Sequence, residues 1–410
     1  MSAWFWLIAW GLWCLVMSMG AQGFSPVMSL IGLLALPKLA DLRWPVPLDV
    51  LAFLVFLAWC VATALWSPYS TGSWITIDPG NENYAVDSPG LRITLVSLLC
   101  MLGFWRLYSV DDKFYRRVRA VGPITIGLQM LVFLSAVLAF DVFRSFFSFS
   151  DDFNIGQNMI RSVNMAILAL PLLFFLIPRE KLSLRLISVL AASAICIVYA
   201  ARVDGQAAIV AFAVIIAIAS LTRLMGRSIF RLLGYGTAIV IVTMPFAMDL
   251  IIDSATKMDQ DSIPLSYASR LFSYEFVIDK IQEKWLLGWG VEASKQWKET
   301  TEFIVNGTTV QYPIVPGHPH NAPLQIWAET GLVGVLLLSA FTILLGERFA
   351  RSDVNNPQVL IPGACLWGGS LVYAAMSYSV WNDAYWAGVL FLATGVLALS
   401  KLLPKVKSPE

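Results

Sequence analysis

Apolar runs long enough to cross a membrane recur along the whole of this chain, and a water-soluble fold has no use for so many. A spanning helix needs ~20 residues to cover ~30 Å of hydrocarbon, and somewhat fewer where protein surrounds it. Twelve runs qualify, at about 4–20, 25–40, 48–66, 91–108, 121–141, 162–178, 183–201, 205–222, 230–251, 323–346, 359–379 and 384–403. Only 13% of the 410 residues are charged, against ~25% in ordinary soluble domains, so the chain lacks the polar cover that a soluble core of this size requires. The expected fold is an all-α integral membrane protein of about 12 transmembrane helices, one polytopic domain over residues 1–410. The first run, Trp4 to Met19, has no basic residue before it and no small-x-small cleavage site after it, and reads as a retained spanning helix. All five cysteines fall inside apolar runs without metal or redox spacing, as small buried hydrophobes do.

A net charge of +1 points to no nucleic acid or other polyanion; the distribution of charge says more. With both termini placed in the cytoplasm, the inner side receives 18 of the 28 basic residues but 8 of the 27 acidic ones, leaving 10 and 19 outside. The positive-inside rule predicts that segregation. It orients the chain with both ends inside and puts the one long hydrophilic segment, 252–322, on the outer side between the ninth and tenth helices. A second outer loop, 67–90, carries Asp78, Glu82 and Asp87 and no basic residue, and suits a lid or a solvated connection.

Within the long loop, Leu271, Tyr274, Val277, Ile278, Ile281 and Trp285 recur with the spacing of an amphipathic helix. Gly288-Trp289-Gly290 ends it with turn chemistry, and 299–316 predicts a small hairpin about Asn306-Gly307. The two histidines of the whole chain follow at once, as Gly317-His318-Pro319-His320-Asn321. A histidine at a membrane-water boundary suits a general base for an incoming hydroxyl. Pro323 in the first turn of the next helix and Asn321 as its cap leave outward-facing amides that favour an anion such as phosphate. The plainer alternative is that two surface histidines cap a helix and do nothing more. Zinc held by His318 and His320 with Glu329 or an aspartate is a further alternative, weakened because two histidines one residue apart lack the three-ligand spacing of catalytic zinc.

Basic residues are scarce outside. Arg270 opens the amphipathic helix, and a guanidinium can hold a diphosphate through two parallel hydrogen bonds. Arg202 and Arg161 stand at the outer ends of the seventh and sixth helices, at head-group depth, where snorkelling to the interface also accounts for them. Gln325 and Glu329 lie within the tenth helix, and a carboxylate at that depth needs a partner, so Glu329 is either structural or part of the site.

His318 to Gly334 reads His-Pro-His-Asn-Ala-Pro-Leu-Gln-Ile-Trp-Ala-Glu-Thr-Gly-Leu-Val-Gly, which resembles the signature of the bacterial O-antigen ligase and polymerase superfamily. Ser269-Arg270 with Leu286-Leu287-Gly288-Trp289-Gly290 upstream, and Ser377-Tyr378-Ser379-Val380-Trp381 with Tyr385-Trp386 downstream, extend the resemblance over about 265–390. It implies inverting, metal-independent and cofactor-free glycosyl transfer on the periplasmic face. The donor would be a glycan on undecaprenyl diphosphate, and the acceptor the lipid A-core for a ligase or another lipid-linked chain for a polymerase. By the same resemblance His320 would be the base, His318 its support and Arg270 the holder of the leaving diphosphate. A second arginine of the family pattern is missing: Gln206 stands in its place, and either Arg202 supplies the charge from one turn away or the diphosphate is bound with one guanidinium fewer.

The terminal aromatic pattern and the Pro-His-Asn run favour a ligase over an O-antigen or exopolysaccharide polymerase. A transporter of lipid-linked oligosaccharides shares the layout, but its charges belong at mid-membrane and its halves should match; neither holds here. A protein-glycosylating member of the superfamily is expected to carry an added soluble portion, whereas this chain ends soon after its last span.

Overall fold

The computed structural model describes residues 2–18, 22–35, 46–70, 76–78, 83–85, 88–108, 111–139, 152–255, 265–305 and 308–402. Helices occupy every predicted span. They are α1 Ser2–Gly11, α2 Trp13–Ser18, α3 Phe24–Ala35, α4 Leu48–Thr63, α5 Pro89–Tyr108, α6 Asp112–Leu138 and α7 Asp152–Leu176. Then come α8 Leu182–Arg202, α9 Gln206–Met225, α10 Ile229–Ala255, α11 Leu265–Glu283, α12 Ala322–Ala350, α13 Pro357–Met376 and α14 Asp383–Leu402. Among the described residues eight helical stretches are long and apolar enough to cross a membrane, and one of these, Gln206–Ser254, takes in α9 and all but the last residue of α10. Of the expected helices, the first is broken near Gly11-Leu12, and those over 25–40 and 48–66 are the shorter apolar helices Phe24–Leu34 and Leu48–Thr63.

Two helices begin well before their apolar runs. α6 starts at Asp112, where Asp111 caps Lys113 N, instead of at 121. α7 starts at Asp152 instead of 162, which places Arg161 inside the helix and not at its end. Polar residues on one face of a bundled helix go unnoticed by an apolar-run criterion, because neighbouring helices give them partners.

Apolar burial forms two clusters. The larger joins α1–α3, α5–α9, the start of α10, α13 and α14, with Trp6, Trp10, Trp13, Phe24 and Phe391 at its centre. The smaller joins α4, α10, α11 and α12 with Val291, Ala293, Trp297 and Val315. The turn 377–382 belongs to both, Tyr378 in the larger and Trp381 in the smaller. In α11, Val277, Ile278 and Ile281 are buried as the stripe predicts, but Trp285 lies past the helix end and is exposed. The predicted hairpin is present as β1 Thr300–Val305 paired antiparallel with β2 Thr308–Pro313; its tip, 306–307, lies outside the described residues. The outer loop 67–90 contains a second antiparallel pair, Thr76–Asp78 with Asn83–Ala85, while Glu82 and Asp87 lie outside the described residues.

α12 holds the fold's most constrained feature. At Gly331 its backbone leaves helical geometry (φ 64°, ψ −170°), and the freed polar groups need partners that hydrocarbon cannot offer. The segment 285–290 supplies them. Trp289 N donates to Ala328 O (2.8 Å), Gly290 N to Glu329 O (2.9 Å), and Leu332 N to Trp285 O (2.8 Å). The approach is so close that a Cβ on Gly331 would lie 2.4 Å from Leu286 O, and one on Gly288 would lie 2.5 Å from the Glu329 carbonyl carbon. Gly288-Trp289-Gly290 therefore does more than end a helix: it docks backbone to backbone into a broken one. Gly331→Ala combines positive φ with a backbone clash, and we expect it to lower stability by about 3 kcal/mol or more, read as a large drop in the thermal midpoint of detergent-purified protein.

Candidate active site

The histidine pair sits where the two apolar clusters meet, on the residues that lead into α12. Asn321 caps that helix, its Oδ1 accepting from Leu324 N at 3.1 Å, and its side chain also hydrogen-bonds the Tyr274 hydroxyl of α11. His320, just before the cap, adopts φ +53°, a conformation costly for most side chains and recurrent in active sites. The two imidazole centroids are 4.1 Å apart.

Their hydrogen bonds fix opposite tautomers. His320 Nδ1 lies 3.0 Å from Ser377 O. A carbonyl can only accept, so Nδ1 carries the proton and Nε2 keeps its lone pair. His318 Nδ1 instead accepts from His320 N at 3.1 Å, so its proton sits on Nε2. The pair thus offers one basic nitrogen and one N–H donor. Burial holds the His320 pKa below its usual 6.5, helped by the Arg270 charge and opposed by the Ser377 carbonyl. Burial, with His320, Lys295 and Arg161 nearby, pushes His318 down to about 3. Both rings are neutral at pH 7, as a base and a donor must be.

Ser377 is held in place by Gln325 and Glu329. Gln325 Oε1 accepts from Val380 N (3.0 Å) and its Nε2 donates to Glu329 Oε1 (3.1 Å). Glu329 is fully buried and also accepts from Glu292 N (2.6 Å), Ser294 N (3.4 Å), Ser294 Oγ (2.7 Å) and Trp381 Nε1. All are donors, which suits an acceptor-only carboxylate. Glu329 therefore ties α12 to the 292–294 turn and to the 377–382 turn, whose first carbonyl orients His320. Both Glu329 oxygens are engaged by donors, and no group of three or more His, Cys, Asp or Glu that could hold a metal ion occurs among the described residues. Glu329→Gln would set an NH2 group against these donors, and we expect it to lower stability by about 2 to 4 kcal/mol, measurable by thermal unfolding in detergent.

The charges of two arginines act on the pair. The Arg270 charge bears on His320 and on Tyr274, and that of Arg161 on His318 and Tyr378. Arg161 Nη2 is steadied by Gln157 Oε1 at 3.3 Å, and one turn on Asn164 Nδ2 donates to the Tyr378 hydroxyl at 3.1 Å. Among the described residues no hydrogen bond, ion pair or charge interaction joins Arg202 to the histidines; it is exposed at the end of α8. Gln206, also exposed, begins α9 beyond the Asp204-Gly205 turn. The arginine that joins Arg270 near the histidines is thus Arg161, which the missing family arginine gave no reason to prefer over Arg202. Asn164, Tyr274, Glu292, Lys295 and the Ser377 carbonyl also belong to this site. Sequence pattern could not single them out, because their roles depend on contacts between segments far apart in the chain.

A family model described as O-antigen ligase matches residues 158–339, a stretch that includes Arg161, Arg270, both histidines and Glu329. A Rickettsia conorii protein provisionally named a polysaccharide ligase is 29% identical over 208 residues, 49% of this chain and 48% of that protein. Provisionally named polysaccharide ligases of Rickettsia felis (29% identical, 34% of this chain and 33% of that protein) and Rickettsia typhi (26%, 49% and 48%) also match. The matched region spans about half the length of these relatives or less. No solved structure matches the chain. Over residues 158–339, a little under half of its length, the chain is similar to the O-antigen ligase family.

Proposed function

We propose that the protein transfers a glycan from undecaprenyl diphosphate to the lipid A-core on the periplasmic face of the inner membrane, with inversion and without a metal. In this reading the chain crosses the membrane twelve times as a single domain, both termini lie in the cytoplasm, and segment 252–322 carries the site outside. The observation that carries it is the His320 tautomer: Nδ1 is committed to Ser377 O at 3.0 Å, so the free Nε2 lone pair is available to a hydroxyl. His320 Nε2 takes the acceptor proton as the acceptor oxygen attacks the anomeric carbon. The bond to the diphosphate breaks on the opposite face, and the His318 Nε2 proton is offered as a hydrogen bond within the site. Arg270 and Arg161 hold the diphosphate as its charge grows, which stabilises the transition state more than the bound donor. Asn321, Gln325 and Glu329 keep the pair in position; Arg202 and Gln206 would meet the donor only at the rim.

The same geometry would serve a polymerase of this superfamily, whose acceptor is another lipid-linked chain. Purified protein in detergent, given the lipid-linked donor and separate lipid A-core, should yield a single shifted band on the lipid A-core. A ladder formed without that acceptor would establish the polymerase. No product with either, together with donor movement across a vesicle membrane, would replace the enzyme with a transporter.

A further inference from the structure

Among the described residues Arg270, Arg161, Arg92 and Lys295 bring positive charge to the site or its border, and the transfer chemistry above uses the first two. The other two converge on one carboxylate oxygen: Arg92 Nη2 lies 2.5 Å and Lys295 Nζ 2.6 Å from Glu292 Oε1. One carboxylate balances one cation, so the trio keeps a positive charge. The acid is at the back, with its side chain 4% exposed, while Arg92 and Lys295 are 42% and 38% exposed. Glu292 holds φ +60°, a strained conformation, and its backbone N–H is locked onto Glu329.

This trio is built into the site. Lys295 stands in a short 3-10 turn, Ala293–Gln296, whose Ser294 Oγ contacts Glu329 Oε1 at 2.7 Å and Gly317 O at 3.2 Å. Gly317 immediately precedes His318. Lys295 Nζ also lies 4.8 Å from the centre of the Tyr69 ring, and its charge bears on His318, whereas that of Arg270 bears on His320. A structural ion pair needs one cation. Two half-exposed cations drawn together by a buried acid repel each other unless an anion joins them from outside.

We propose that Arg92 and Lys295 form a second anion-binding subsite, on the His318 side of the centre, that receives a phosphate or carboxylate group of the glycan acceptor. The proposal rests on the reading of the histidine pair as the transfer centre. The acceptor is the substrate that must approach the base, while the donor diphosphate departs on the far side of the reacting carbon. An anchored acceptor anion would orient the attacking hydroxyl toward His320.

Binding tests this without turnover. Full-length protein in nanodiscs is titrated with three acceptor glycans of one backbone, bearing a phosphate monoester, a carboxylate or neither. Wild type should bind one or both anionic forms about tenfold more tightly than the neutral form, and which form gains identifies the anion. Lys295→Gln should erase the preference, Lys295→Arg should keep most of it, and His320→Ala should leave it intact. Equal affinities in wild type, or a preference that survives Lys295→Gln, would overturn the subsite. If Lys295→Gln does not fold, Arg92→Gln asks the same question of the other cation, with the same two outcomes. A His320→Ala protein that transfers glycan normally while the Lys295-dependent preference stands would remove the histidine reading and leave the anion site.

Discussion

Replacing His320 by alanine is expected to lower glycan transfer by about 10³-fold, in the range typical of removing a positioned general base, while leaving the thermal midpoint close to that of wild type. The ring is half-buried and its one fixed side-chain bond is to Ser377 O, so the fold loses little when it goes. Wild-type turnover in the variant would remove His320 as base. The pH profile is a second, independent reading. A base works when neutral, and burial together with Arg270 holds the His320 pKa below 6.5; activity should therefore stay level through neutral pH and fall only as pH drops through that lowered value. His318, near 3, contributes no titration near neutrality. Removing the Arg270 charge takes away one cause of the lowering. In Arg270→Ala the acid limb should consequently move up toward 6.5, and that shift separates an arginine near the base from one remote from it.

Much of this architecture could be read from the chain because the bilayer imposes a length and composition on any segment inside it. The helix over 323–346, its Asn321 cap, the α11 stripe through Ile281 and the hairpin about Asn306-Gly307 all follow from local rules, and all appear as helix, cap or strand pair. The histidine pair and Arg270 were legible for a related reason: in an apolar chain a polar residue at the water boundary stands out. What local rules could not supply is the pairing of distant segments. The break at Gly331 looks like an ordinary helical glycine until the 285–290 backbone is placed against it, and Ser377 becomes relevant only because its carbonyl meets a ring 57 residues earlier. Glu329 could be read as glue or as part of the site; its five donors make it the fastening on which the site's geometry depends. Arg161 and Arg202 were equivalent as outer-end arginines. They differ in that Arg161, inside an α7 that begins ten residues before its apolar run, bears with its charge on His318, whereas Arg202 ends α8 exposed.

The second large effect is expected from the arginines. Arg270→Lys should reduce transfer by about 10²-fold even though the charge is kept, because an ammonium cannot reproduce two parallel hydrogen bonds to a diphosphate. The loss should appear mainly in kcat, since charge on the leaving group develops in the transition state and is smaller in the bound donor. Arg161→Lys should act in the same direction, and the double variant decides how the two work. If both guanidiniums grip one diphosphate, removing the second after the first costs less than removing it from wild type, and the two losses are not additive. Full additivity would mean that Arg161 serves a separate purpose, such as keeping the His318 pKa low. Arg202→Lys is the matching control. Exposed and without contact to the histidines among the described residues, it should change transfer by less than about twofold if Arg161 is the second guanidinium. A loss at Arg202 as large as that at Arg270, with Arg161→Lys near wild type, would return the second diphosphate contact to Arg202, one turn from the start of α9 where the family pattern has its arginine and this chain has Gln206.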